Sequence, residues 1–216
     1  MRTTAILSEK AHPELLSYIS EKCDDIITVN QMIDSPIGSH ADLYYCKLKD
    51  DLLFAGDPSR LTNTYPGDCL YNAASTGRFF IHNHRITDES LIQAANDCGL
   101  TAIHVRQGYS KCSIAVVDES AIITSDAGIY RSCREHLDCL LISPGYIDLP
   151  GYHYGFIGGC TGRLDDTVIF NGNLRAHPDH EMIEEFITER GLEVKHFDNY
   201  ELTDIGSMIF VKGERK

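Results

Sequence analysis

The 216-residue chain contains no Trp, no CxxC pair and no long apolar run, and it is short of basic residues. Each shortage excludes something. No window approaches the ~18 consecutive apolar residues that a membrane helix requires, so a transmembrane anchor is not expected. The segment Met1-Arg-Thr-Thr-Ala-Ile-Leu-Ser-Glu9 lacks the apolar core of a signal peptide, and a cytoplasmic location is the expectation. Lys and Arg number 19 against 32 Asp and Glu, a formal charge of −13. A surface this acidic argues against nucleic acid and favours a cationic or zwitterionic small molecule as partner. Cys23, Cys46, Cys69, Cys98, Cys112, Cys133, Cys139 and Cys160 show no paired metal-ligand spacing. They read as reduced, mostly buried thiols, with neither a metal site nor a cofactor expected.

What is present is a globular composition, 43% hydrophobic and 24% charged, in a length that suits one domain spanning 1–216. Within it a unit repeats. Residues 110–142 run as a strand from Ser110-Lys111-Cys112, a turn at Asp118-Glu119-Ser120, a second strand, a helix from Gly128 to His136 and a strand at Cys139–Ile142. The same order recurs at 158–197, with a helix from Pro178 to Arg190 ended by Gly191, and at 67–105, with a helix from Asp88 to Cys98. Residues 41–57 form a further hairpin whose helix is reduced to the loop from Pro58 to Pro66.

The two ends of the chain supply the fifth copy. Thr3–Leu7, a helix opening at Pro13 and Asp25–Val29 lack a leading strand, and Ile205–Val211 is a strand without a helix. Ala11-His12-Pro13-Glu14 matches Ala176-His177-Pro178-Asp179 at the equivalent helix start. A unit of ~40 residues cannot bury its own apolar faces, so its copies must pack together. The fold expected is α/β: a five-bladed propeller of pseudo-fivefold ββαβ units around a central pore, with the N- and C-terminal segments sharing one blade.

This pattern resembles the pentein family of guanidino-group modifying enzymes, which includes deiminases, amidinotransferases and the non-catalytic translation initiation factor six. The local likeness is strongest in Gly155-Phe156-Ile157-Gly158-Gly159-Cys160-Thr161 and the run Asp165 to Asn171. It also resembles small bacterial proteins of that fold with no assigned reaction. The resemblance implies a catalytic His where this chain has Gly155, and a nucleophilic Cys where it has Ser207 or Met208. The thiolate chemistry of those hydrolases therefore does not transfer. His153, two residues before Gly155, is the candidate base; Cys112 and Cys160 are the candidate relocated nucleophiles, with Lys111 expected to lower the Cys112 pKa.

If the first strand of each unit lines the pore, the segments entering those strands meet at one mouth. They bring His40, Asp42, Asp68, Tyr109, Lys111, Tyr154 and Asp204 together as candidate ligand-binding residues. Carboxylates there suit a guanidinium or ammonium, and Lys111 suits a carboxylate, so a guanidino or amino-acid-like ligand is the first expectation. An atypical amidine or guanidine hydrolase or amidinotransferase is the second. A protein-interaction factor is the third, and a homodimer is compatible with all of them. His177 and His180 read as capping residues at a helix start rather than as metal ligands.

Overall fold

The computed structural model describes residues 1–213. Over those residues the chain is a mixed α/β protein with five small sheets. In order, its main elements are β1 (Arg2–Ser8), α1 (Pro13–Ser20), β2 (Asp25–Val29), β3 (Tyr45–Lys49), β4 (Leu52–Ala55), β5 (Ala74–Ser75), β6 (Phe79–His82), α2 (Glu89–Asp97) and β7 (Thr101–His104). There follow α3 (Ser110–Ser113), β8 (Ile114–Asp118), β9 (Ala121–Thr124), α4 (Ala127–Cys133), β10 (Asp138–Leu141), β11 (Thr161–Leu164), β12 (Thr167–Phe170), α5 (His180–Thr188), β13 (Glu193–Lys195) and β14 (Ile209–Gly213). Among the described residues no helix is long and apolar enough to cross a membrane.

Four sheets share one plan. β5-β6-β7, β8-β9-β10 and β11-β12-β13 each join an antiparallel hairpin to a parallel third strand. The parallel pairing requires a crossover, and a helix supplies it each time. The fourth, β14-β1-β2, is assembled from the two ends of the chain, with Arg2 opposite Gly213 and Ile6 opposite Ile209. The fifth is the hairpin β3-β4, followed by a short 3-10 turn at Pro58–Arg60 where the others have a helix.

The helices form where the sequence provides a cap and an i, i+4 apolar pair. Asp88 accepts the Ser90 N–H at 2.9 Å ahead of α2, and Asp126 accepts the Gly128 and Ile129 N–H groups ahead of α4. Pro13 opens α1 behind His12, whose ring nitrogen accepts the Glu14 N–H. The four longer helices, α1, α2, α4 and α5, each bury one such pair: Leu15 and Ile19, Leu91 and Ala95, Ile129 and Cys133, Ile183 and Ile187. Each large aliphatic side chain so buried contributes about 1.5–3 kcal/mol. The pairs sit between sheets, not merely on their own: Ile129 and Cys133 of α4 share a cluster with Ile81, Ile103, Ile114 and Ile122. Neighbouring sheets touch through their first strands, β14 with β3, β3 with β5, β5 with β8, β8 with β11 and β11 with β14.

The approaches to those first strands differ from the sequence expectation. Ser110, Lys111 and Cys112 form the helical turn α3 instead of a strand, and the third unit pairs only Ala74 and Ser75. Cys69, Cys112 and Cys160 accordingly lie ahead of their strands, not within them. The cause is a hydrogen-bonding contact distant in sequence: the Asn72 side-chain carbonyl accepts both the Lys111 and the Cys112 N–H, at 2.9 and 3.2 Å, and holds the turn.

Candidate functional site

The turns that lead into the first strands meet in the interior. Asp42 follows a tight bend after His40, Lys111 and Cys112 come from α3, Gly158 and Gly159 precede β11, and Asp204 to Ser207 precede β14. Gly206 and Ser207 both hold positive φ, +73° and +69°. The close fit explains the glycines. A Cβ on Gly159 would lie 2.0 Å from Asp204 Oδ1, and one on Gly206 would lie 2.1 Å from His40 Cβ.

At the centre, Ser207 Oγ lies 2.6 Å from Asp42 Oδ2 and 2.8 Å from the Gly158 carbonyl. A hydroxyl has one proton, and the nearer, charged acceptor takes it. Lys111 Nζ donates to Ser207 Oγ at 2.9 Å and reaches the Gly158 carbonyl at 3.3 Å. Ser207 thus relays between the amine and the carboxylate. The Cys112 thiol donates to the same Asp42 Oδ2 at 3.1 Å, and Asn72 Nδ2 donates to Cys112 Sγ at 3.3 Å and to the Asp42 carbonyl at 3.2 Å. Asp204 accepts the Phe156 N–H on one oxygen and the Gly206 N–H on the other, each at 2.9 Å.

Burial dominates the protonation states here. It pushes Asp204 up to about 6, against the pull of the Phe156 and Gly206 N–H bonds and of Lys111. It lowers Lys111, while Asp42 opposes the shift. His40 is brought down to about 4 by burial, so the imidazole is neutral at pH 7, and its Nδ1, 3.8 Å from Asp204 Oδ1, is not in an ion pair. Two atoms of this centre are buried without a hydrogen-bond partner, His40 Nδ1 and Asp42 Oδ1.

Of the candidates chosen from the sequence, His40, Asp42, Lys111 and Asp204 come together. They do so in the interior and not at an open mouth: His40, Asp42 and Asp204 are no more than 3% exposed. Asp68 and Tyr109 form a second pair, Tyr109 Oη donating to Asp68 Oδ2 at 2.6 Å. Tyr154 stands outside the cluster, exposed and edge-on to Phe156. His153 lies on an exposed turn. The expected activation of Cys112 by Lys111 is reversed. Burial, then the Asp42 carboxylate, raises the thiol well above its ordinary value, and burial does the same to Cys160. Both are protonated thiols. His177 and His180 do not cap a helix as expected: α5 begins at His180 with Asp179 as its N-cap residue, and buried His177 holds the turn ahead of it, its Nδ1 accepting the Asp179 N–H.

Ser207 and Asn72 join the centre unpredicted. Asn72 is hidden inside an apparent strand, and Ser207 stands out only as the residue at the position where the resemblance implies a Cys.

Lys111 also lines a cavity of about 560 Å³ bordered by the first strands of all five sheets. Its charged wall carries Lys47, Lys49 and Arg163 beside Asp50, Asp118 and Glu119. Lys47 bonds Asp50 at 3.1 Å, and the Arg163 guanidinium donates to the Val117 and Asp165 carbonyls.

Fold and centre together define a class: an α/β protein of five small sheets with a buried polar cluster at their junction and a cavity beside it. Residues 54–209 match the family model described as a family of unknown function, DUF6873, and the chain belongs to that family. No curated protein and no solved structure matches it.

Proposed function

We propose that the five sheets are the blades of a pentein-type propeller, and that the cavity on its axis binds a small zwitterionic molecule of guanidino or amino-acid type. The observation that carries this reading is one cavity reached by every first strand and lined by both basic and acidic side chains, Lys111 among them. Its volume falls in the range of small-molecule sites, roughly 300–1,000 Å³. Arg163 and Lys49 supply positive charge for a ligand carboxylate and Glu119 supplies negative charge for an ammonium or guanidinium, the Asp118 carboxylate beside it being held by Ser120 and Arg190.

The reading concerns binding. Cys112 and Cys160 are protonated and His153 is exposed on the surface, which leaves the hydrolase alternative without an activated thiolate.

A thermal-shift panel of arginine, agmatine, ornithine and neutral amino acids tests it. A ligand present at ~100 times its Kd stabilises by about 2.7 kcal/mol, and each kcal/mol raises Tm by roughly 2–4 °C in a chain of this size. The shift disappears in Arg163→Ala or Glu119→Gln if the cavity is the site. No shift with any member of the panel, or a shift unchanged by both substitutions, would overturn the reading.

A further inference from the structure

We propose that His40, Asp42 and Cys112 form a binding site for a divalent transition-metal ion, zinc being the best match to a nitrogen, oxygen and sulfur donor set. One donor atom from each residue lies within 4.8 Å of the other two, and all three residues are buried. Tetrahedral zinc with bonds of about 2.0–2.3 Å sets its ligand atoms roughly 3.3–3.8 Å apart, so closure onto an ion needs a contraction of about 1 Å. The Cys112 thiol already reaches the Asp42 carboxylate, 3.1 Å from Oδ2, which leaves Oδ1 as the oxygen free to ligate.

Two independent features point to a ligand there. His40 Nδ1 and Asp42 Oδ1 have no hydrogen-bond partner, although their side chains are almost wholly buried. Leaving a buried polar atom unpaired costs about 1–3 kcal/mol, and a metal ion relieves both at once. The second feature is charge. The centre holds two carboxyl groups, Asp42 and Asp204, against the single amine of Lys111. A divalent ion together with the Lys111 ammonium balances both carboxylates and a Cys112 thiolate. Binding breaks the Cys112 S–H bond, forms an S–metal bond and releases the proton to solvent.

The set also has the outer supports that such sites use. Asn72 Nδ2 donates to the thiol sulfur, and Ser207 donates to the remaining carboxylate oxygen. Three protein ligands leave a fourth coordination position. This site is separate from the ligand cavity: none of its three ligands borders that space.

The test is metal analysis of the full chain purified without chelators, followed by refolding in Co2+, which gives a thiolate-to-cobalt charge-transfer band. The expected result is about one zinc per chain and a cobalt band of matching stoichiometry. Cys112→Ser should abolish the band, and the paired substitution of Cys133 and Cys139 by Ser should leave it intact. If Cys112→Ser fails to fold, His40→Gln serves as the second variant, with weakened Co2+ binding expected. A metal-free protein that also refolds without the band, or a band that survives loss of Cys112 or His40, would overturn the proposal.

Discussion

Ser207 combines a left-handed backbone with a side chain that joins Lys111 to Asp42, so both its shape and its hydroxyl are needed where it stands. Ser207→Ala keeps the backbone and leaves the amine and carboxylate buried without their bridge. A loss of about 1–3 kcal/mol in urea unfolding is expected, and a change below half that would show that the relay contributes little. Gly206→Ala should cost more, about 3 kcal/mol or above, because the new methyl meets His40 at positive φ. His82 sets a pH dependence. Its Nε2 donates to the Gly108 carbonyl at 2.8 Å and its Nδ1 faces Thr87 Oγ1 at 2.6 Å. Burial, first of all, brings its pKa down to about 4. The unfolded state, with an ordinary histidine near 6.5, then binds the proton more readily than the folded state. The His82 contribution is full above pH ~6.5 and falls by about 3 kcal/mol as the pH drops towards 4, beside a loss of the same sign from His40 and an opposite contribution from the raised Asp204. Unfolding free energies of His82→Gln and the parent should differ by that His82 share across the window, the His40 and Asp204 contributions being common to both; identical pH profiles would overturn the assignment.

Among the elements, helices were the most legible and strand entries the least. Gly191, called as the end of α5, does sit just past it at φ +73° with open space around its α-carbon, and Gly191→Ala should cost about 1 kcal/mol through backbone strain alone. Asp126→Ala removes two N-terminal hydrogen bonds of α4 and should also cost about 1 kcal/mol, measurable as a lower urea midpoint. These features are local, set by a residue and its next few neighbours. The polar centre is not. Asp42 and Ser207 are 165 positions apart, Asn72 reads as part of a strand, and α3 bends because of a side chain 40 positions away. Repeat position was enough to bring His40, Asp42, Lys111 and Asp204 into one group. Repeat position carries no information on depth, and exposed Tyr154 shares it with the buried four.

At the scale of the whole molecule, the end-to-end sheet β14-β1-β2 makes a testable claim about connectivity. Arg2 is paired with Gly213, so a short linker can join the two ends. A permutant opened between Pro144 and Gly145, in an exposed turn, should fold and unfold with an m-value close to that of the parent chain. An unfolded or aggregating permutant, with the linker lengthened as a control, would show that the covalent order of the units matters as much as their contacts.

That shared sheet also bears on the order in which the chain acquires its structure. β1 is made before the middle sheets and β14 after them, and their pairing spans all of those sheets in sequence. Contacts of this kind carry the largest loop-closure cost and form late. During synthesis the first strand therefore presents an unpaired edge while the other sheets are already assembling, and an open edge invites association with other chains. Ribosome-bound chains that stop before Ile209 should remain protease-sensitive near residues 2–8 after the middle sheets have become resistant. Simultaneous protection of all sheets would instead show that the first strand finds another cover before its partner emerges.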